Sequence, residues 1–199
     1  AATDPEGLEQ VIADGKRMLE LGVDADLRGM PRQTARDLVD RWTELGRRYP
    51  EAAKRWKSLQ PDRRGLRVGA QNYMGYSDGE VLWNFQLMSL DRETLDADLL
   101  RSEKQGMHPP GCGSVRALAT HELGHVVEDM VAERLGKRQW NALKRALVGC
   151  RVSGYTQRRP DESFAVAFAA VHHSDAEKLS SGARRARDMV EGVLQRLGM

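Results

Sequence analysis

Two cysteines in 199 residues, Cys112 and Cys150, and no Cys-x-x-Cys pair exclude a disulfide framework and an all-thiolate metal site. The two thiols either form one bond across the loops flanking a central helix or stay free. Aromatic residues supply only 6% of the chain. They build no platform among the short arginine clusters Arg47-Arg48, Arg63-Arg64, Arg158-Arg159 and Arg184-Arg185, so these read as solvated surface and no nucleic-acid partner is expected. Neither charge sign dominates, with 31 basic and 29 acidic side chains and a net charge of +2. No apolar run approaches the roughly 20 residues that span a bilayer, so no membrane partner is expected. Ala1-Ala2-Thr3-Asp4-Pro5 offers neither a basic nor an apolar leader region, and no initiator Met is present. A start at a processed or excised boundary is the expectation. Internal repeats and low-complexity tracts are absent too.

What remains is an ordinary composition, 40% hydrophobic and 30% charged, in a chain long enough to bury a core. The first sixty residues read as a helical N-terminal lobe. Asp4-Pro5 opens a helix carrying Leu8, Val11, Ile12, Met18 and Leu19, and Pro31 and Thr34 restart one carrying Leu38, Trp42 and Leu45. Pro50 begins a third with Ala53, Trp56 and Leu59. Residues 61–199 then form the expected main region. Leu66–Val68 and Val81–Met88 read as strands separated by turn-rich residues, and Asp91 opens a short helix. His108-Pro109-Pro110-Gly111 is a loop, and Ser114 caps a central helix that Gly136 stops. Helices follow around Trp140–Leu147, from Asp161 to His173, and from Asp175 nearly to the end, with Leu179, Met189, Val190, Val193 and Leu197 inward. The class is α+β, mostly α, with a small sheet before the central helix.

The central helix carries His121-Glu122-Leu123-Gly124-His125. Residues four apart on a helix lie about 40° apart in azimuth and about 6 Å apart along the axis, so both imidazoles can reach one ion. Glu122 is turned about 100° from His121, flanking the ion, where a general base that takes a proton from activated water belongs. With five histidines in the chain, a chance match to this pattern is on the order of one in a hundred. A catalytic zinc takes three protein ligands and keeps an open position. Glu128 and Val131 stand three and six residues after His125, so the third histidine of a metzincin is missing. Candidates for the third ligand are Glu162, Asp161, His108, His172 and His173. Glu162 opens an Ala-rich helix whose small face, Ala165 and Ala169, permits close approach to the His helix. Asp161 fits an N-cap, His108 an exposed loop or cleft rim, and His172 and His173 a partly exposed helix end. Tyr155, seven residues before Glu162 in a glycine-containing loop, could donate a hydrogen bond to an oxyanion.

His-Glu-Leu-Gly-His followed by Tyr155-Thr-Gln-Arg-Arg-Pro-Asp-Glu162-Ser-Phe164-Ala165-Val-Ala167-Phe168 resembles the catalytic domain of the anthrax lethal factor family. That family includes secreted Pro-Pro endopeptidases and zincin domains of phage minor head proteins. The resemblance spans roughly residues 114–175. It implies a zincin-like metallopeptidase fold of the gluzincin type, one Zn2+ with Glu162 as third ligand, and Tyr155 as hydrogen-bond donor in the transition state. One departure is Val166, where the family often has a second acid four residues after the glutamate ligand; orientation of a histidine ligand must then come from elsewhere. The expectation is a zinc-dependent endopeptidase acting on a protein or peptide, secreted or virion-associated. The alternative is a catalytically weak zincin-like domain with a binding or assembly role in a phage particle or toxin. Val81–Met88 is expected either to pair with an extended substrate or to be core.

Overall fold

A computed structural model describes residues 5–199, with side chains from residue 6 onward. The N-cap expected at Asp4 lies outside the described residues. Helices α1 (Pro5–Arg17) and α2 (Arg32–Arg48) form where proline and apolar spacing place them. Val11, Met18, Leu38, Trp42 and Leu45 are buried, whereas Leu8, Ile12 and Leu19 lie on the outer side of α1 and the turn after it. α3 (Pro50–Ala53) is a single turn, and Leu59, expected on that helix, lies instead in a strand. Trp56 packs edge-on against Trp42, ring centroids 5.0 Å apart, and its indole N–H donates to the Ser58 carbonyl at 2.9 Å. That bond turns the chain from helix into sheet.

The sheet has order β1-β2-β4-β3, from β1 (Asp24–Ala25), β2 (Ser58–Asp62), β3 (Met74–Ser77) and β4 (Glu80–Asn84). β4 pairs parallel with β2 and antiparallel with β3. Both its edges are taken, so of the two alternatives for this segment, substrate pairing or core, the strand serves the core. Val81 and Trp83 are fully buried. The β3–β4 hairpin turns on Asp78 and Gly79, both at positive φ, as a two-residue turn of that hand requires.

Two strand expectations fail for local polar reasons. The side chain of Asn84 accepts from the N–H groups of Gln86 and Leu87, which ends β4 and caps α4 (Phe85–Met88). The segment expected to be one strand is therefore half strand, half helix. Residues 66–68 form no strand, because Asp62 Oδ2 accepts from Arg67 N at 2.8 Å and Val68 N at 2.9 Å and curls them into a turn. Leu66 is left 78% exposed.

The chain divides into two compact units, Ala1–Ala97 and Asp98–Met199. A boundary at residue 60 would cut β2, and the division falls within α5 (Arg92–Lys104). The second unit is helical. Ser114 caps α6 (Val115–Cys150) by accepting from Ala117 N. Gly136, at φ 73° and ψ 162°, breaks the helix where the sequence places a stop, but the chain resumes helical geometry at once. Trp140 thereby packs on Phe164, ring centroids 5.9 Å apart. α7 (Gly154–Arg158), α8 (Ser163–His173) and α9 (Ser181–Arg196) follow, with α8 packed against both α6 and α9. Ala183, Ala186, Val190, Val193 and Leu194 form the buried side of α9. The architecture is thus mixed and mostly helical with one small sheet, as the sequence indicates at that level.

Candidate metal centre

The centre forms where α6 and the start of α8 touch. Gly124, between the two histidines, makes this contact possible: a Cβ there would stand 3.1 Å from both Ala165 Cα and Phe168 Cδ1. Ala165, Ala167, Ala169 and Ala170, all buried, keep the facing helix thin. The close approach brings Glu162, at the end of a short 3₁₀ turn (Pro160–Glu162), to the histidines.

Glu162 Oε2 lies 3.1 Å from His121 Nε2 and 3.0 Å from His125 Nε2. Among the described residues His121, His125 and Glu162 are the group that can hold a metal ion, their donor atoms all within 4.8 Å of one another. Of the sequence candidates for a third ligand, only Glu162 joins the histidines. Arg159 Nη2 donates to Glu162 Oε1 at 3.3 Å, leaving Oε2 to face the imidazoles. Burial alone would raise the Glu162 pKa, but the two imidazoles outweigh it and hold this carboxyl far below the usual range. Burial likewise disfavours a charged His125, yet the carboxylates of Glu128 and Glu162 push its pKa to about 10. Such mutual stabilisation of opposite charges is what a divalent ion replaces.

Glu122 is buried, and its Oε2 has no hydrogen-bond partner among the described residues. Burial raises its pKa, partly opposed by His121 and His125. Glu128 Oε2 stands 3.6 Å from His125 Nδ1, on the side of the ring away from Glu162. An acid within α6 itself therefore faces this ring, while Val166 is buried core. Nothing in the sequence singles out Glu128 or Arg159; each reads as one more surface charge on a helix or loop.

Tyr155 sits in the first turn of α7, which a capping box between Ser153 and Thr156 fixes. Its ring meets that of His121 at a centroid distance of 6.4 Å and that of His108 at 5.8 Å. Burial, reinforced by Glu162, raises the phenol pKa, so the hydroxyl keeps its proton through the neutral range. His108 lies beside Tyr155 at the centre: burial, with His121 adding to it, lowers its pKa to about 4 and keeps it neutral. The loop bearing it is anchored by Gly154 N donating to Gly106 O at 2.8 Å and Tyr155 N to Met107 O at 3.3 Å.

The remaining candidates are elsewhere. Asp161 is not an N-cap; it is exposed and held by Arg159 at 2.9 Å. His172 rests edge-on against Phe168, centroids 4.8 Å apart. The Thr120 hydroxyl donates to the Arg116 carbonyl, so at 2.7 Å it accepts from His173 Nε2, an anchor between α8 and α6 that the helix-end reading missed. Both cysteines are free and buried: Cys112 contacts Ser174 Oγ at 3.6 Å, and Cys150 donates to Ala146 O at 3.2 Å. The chain matches no protein-family model, no curated protein and no solved structure.

Proposed function

We propose that this chain is a zinc-dependent endopeptidase of the gluzincin type with a zincin-like fold. The observation that carries the reading is the convergence of His121, His125 and Glu162 on one point beside Glu122, whose buried Oε2 has no hydrogen-bond partner among the described residues. Two imidazole nitrogens and one carboxylate oxygen are a borderline donor set that suits zinc, and three protein ligands match a catalytic rather than a structural site. A zinc ion held there supplies Lewis-acid polarisation of a carbonyl and acidification of water.

The protein's own groups account for the rest. Glu122 takes a proton and returns it to the leaving amine; a carboxyl whose pKa is raised by burial is better matched to both transfers near neutrality. Tyr155 presents a protonated phenol beside His121, placed to donate to a developing oxyanion. Arg159 binds one oxygen of Glu162 and orients the other. Glu128 fixes the ring plane of His125 from behind.

The test is a proteome-derived peptide-library digest read by mass spectrometry, with and without chelator, on the native chain and on Glu122→Gln. Chelator-sensitive cleavage by the native chain is expected. Glu122→Gln should keep its zinc and lose at least about 100-fold in turnover. Zinc retention without cleavage by the native chain favours the binding or assembly role instead, and absence of stoichiometric zinc overturns both.

A further inference from the structure

Charge is unevenly placed along this nearly neutral chain. Residues 134–159 contain eight of the 31 basic side chains and none of the 29 acidic ones. The rest of the chain therefore carries 23 basic against 29 acidic groups. Most of this segment is the part of α6 beyond Gly136.

On that stretch Lys137 and Lys144 are seven residues apart, as are Arg138 and Arg145. Seven residues return to nearly the same azimuth about 10.5 Å along the axis, so the four cations form two rows about 100° apart that make one broad stripe, with Asn141 between them. All four are exposed, and among the described residues no carboxylate pairs with them. Arg134, on the other side of the kink, is engaged separately and donates to the Leu197 carbonyl. The helix beside and behind this face is occupied, with Leu147 and Cys150 buried and Trp140 on Phe164. The stripe is thus a rigid, outward band of uncompensated positive charge.

We infer that this face of α6, Lys137–Arg145, is a docking surface for a short acidic segment of a partner polypeptide. A membrane surface fits less well, because the apolar side that an interfacial helix would insert is spent on the protein's own core. A long nucleic acid fits less well too. No exposed aromatic side chain accompanies the stripe to stack on bases, and the anionic excess over the rest of the chain repels a polyanion that extends past the patch. A short acidic stretch meets only the local positive field, which steers it to the helix and sets its register.

The experiment is fluorescence anisotropy of a labelled ten-residue Glu/Ser peptide with the full chain carrying Glu122→Gln, so that turnover does not enter. Binding is expected at low salt, and it weakens as ionic strength rises and the Debye length shrinks. Changing Lys137, Arg138, Lys144 and Arg145 to Gln should weaken it about tenfold or more, with an unchanged circular-dichroism melt. Neutralising four exposed cations elsewhere, Lys16, Arg32, Lys54 and Arg64, should leave it within about twofold. Equal losses in the two variants overturn the assignment, as does failure of the peptide to bind. So does tighter, stripe-dependent binding of a 20-base-pair duplex or of phosphatidylserine vesicles. Because no arm requires zinc or cleavage, this result is independent of the peptidase reading.

Discussion

Oε2 of Glu162 lies 3.0 Å from Nε2 of His125, across 37 positions of sequence. Two helices pressed together at Gly124 and Ala165 produce that distance, and the candidate centre depends on it.

Removing either partner should abolish metal binding in the useful range. His125→Ala or Glu162→Ala is expected to lower zinc affinity by more than roughly 100-fold, beyond the 10–100-fold typical of groups that only support a ligand. Competition titration against a chromophoric chelator measures it. A Glu162→Ala chain that holds zinc as tightly as the native one would remove Glu162 from the ligand set.

Glu128 gives a graded version of the same experiment. Its carboxylate faces His125 Nδ1 at 3.6 Å, on the side away from Glu162. Glu128→Gln should lower zinc affinity by about 10–100-fold while leaving stoichiometry at one. An affinity equal to that of the native chain would show that this acid does not orient the ring.

Gly124→Ala sets two effects against each other. Alanine favours an exposed helix by up to about 1 kcal/mol over glycine. Here its methyl group would press on Ala165 Cα and Phe168 Cδ1 at 3.1 Å, and overpacking costs about 1–3 kcal/mol. The crowding wins. A lower melting temperature is expected, with weaker zinc binding as α8 is displaced; a raised melting temperature would mean that the helices part freely.

The turn after β2 carries a pH signature. Asp62 is held below the usual carboxylate range, first by the N–H of Val68 and then by that of Arg67. A carboxyl with a depressed folded-state pKa contributes stability above its unfolded value, near 4, and loses it as pH falls through the folded value. Denaturant melts of native and Asp62→Asn chains should therefore differ at pH 7, by about 1–2 kcal/mol, and converge in acid below the folded-state value. A difference that is constant with pH would deny the carboxylate this role.

The pair His121 and His125 was legible from spacing alone, because a helix dictates which residues share a face. Glu162 was legible because the alanines after it announce a close contact. Glu128 and Arg159 were not, since a charged residue on a helix or loop carries no mark of whether it faces solvent or a histidine ring. The same applies to Asn84 and Asp62, whose side chains capture backbone N–H groups and override the β pattern of Phe85–Met88 and Leu66–Val68. The break at Gly136 was readable as a stop; its outcome, a resumed helix turned so that Trp140 meets Phe164, depends on a contact between residues 24 positions apart.

The loop before α6 links two segments that the candidate centre keeps apart. At one end, the carbonyls of Gly106 and Met107 receive the first amides of α7, next to Tyr155. At the other, the Ser174 hydroxyl donates to the Pro110 carbonyl, and Gly111 lies against the carbonyl of His173. Tyr155 and the far end of α8 are thereby tethered to one proline-stiffened brace. The gap between phenol and carboxylate is consequently gauged by residues 106–111 as well as by the seven-residue stretch that joins them, and lengthening that brace by one residue would be felt at the centre without altering any residue that lines it.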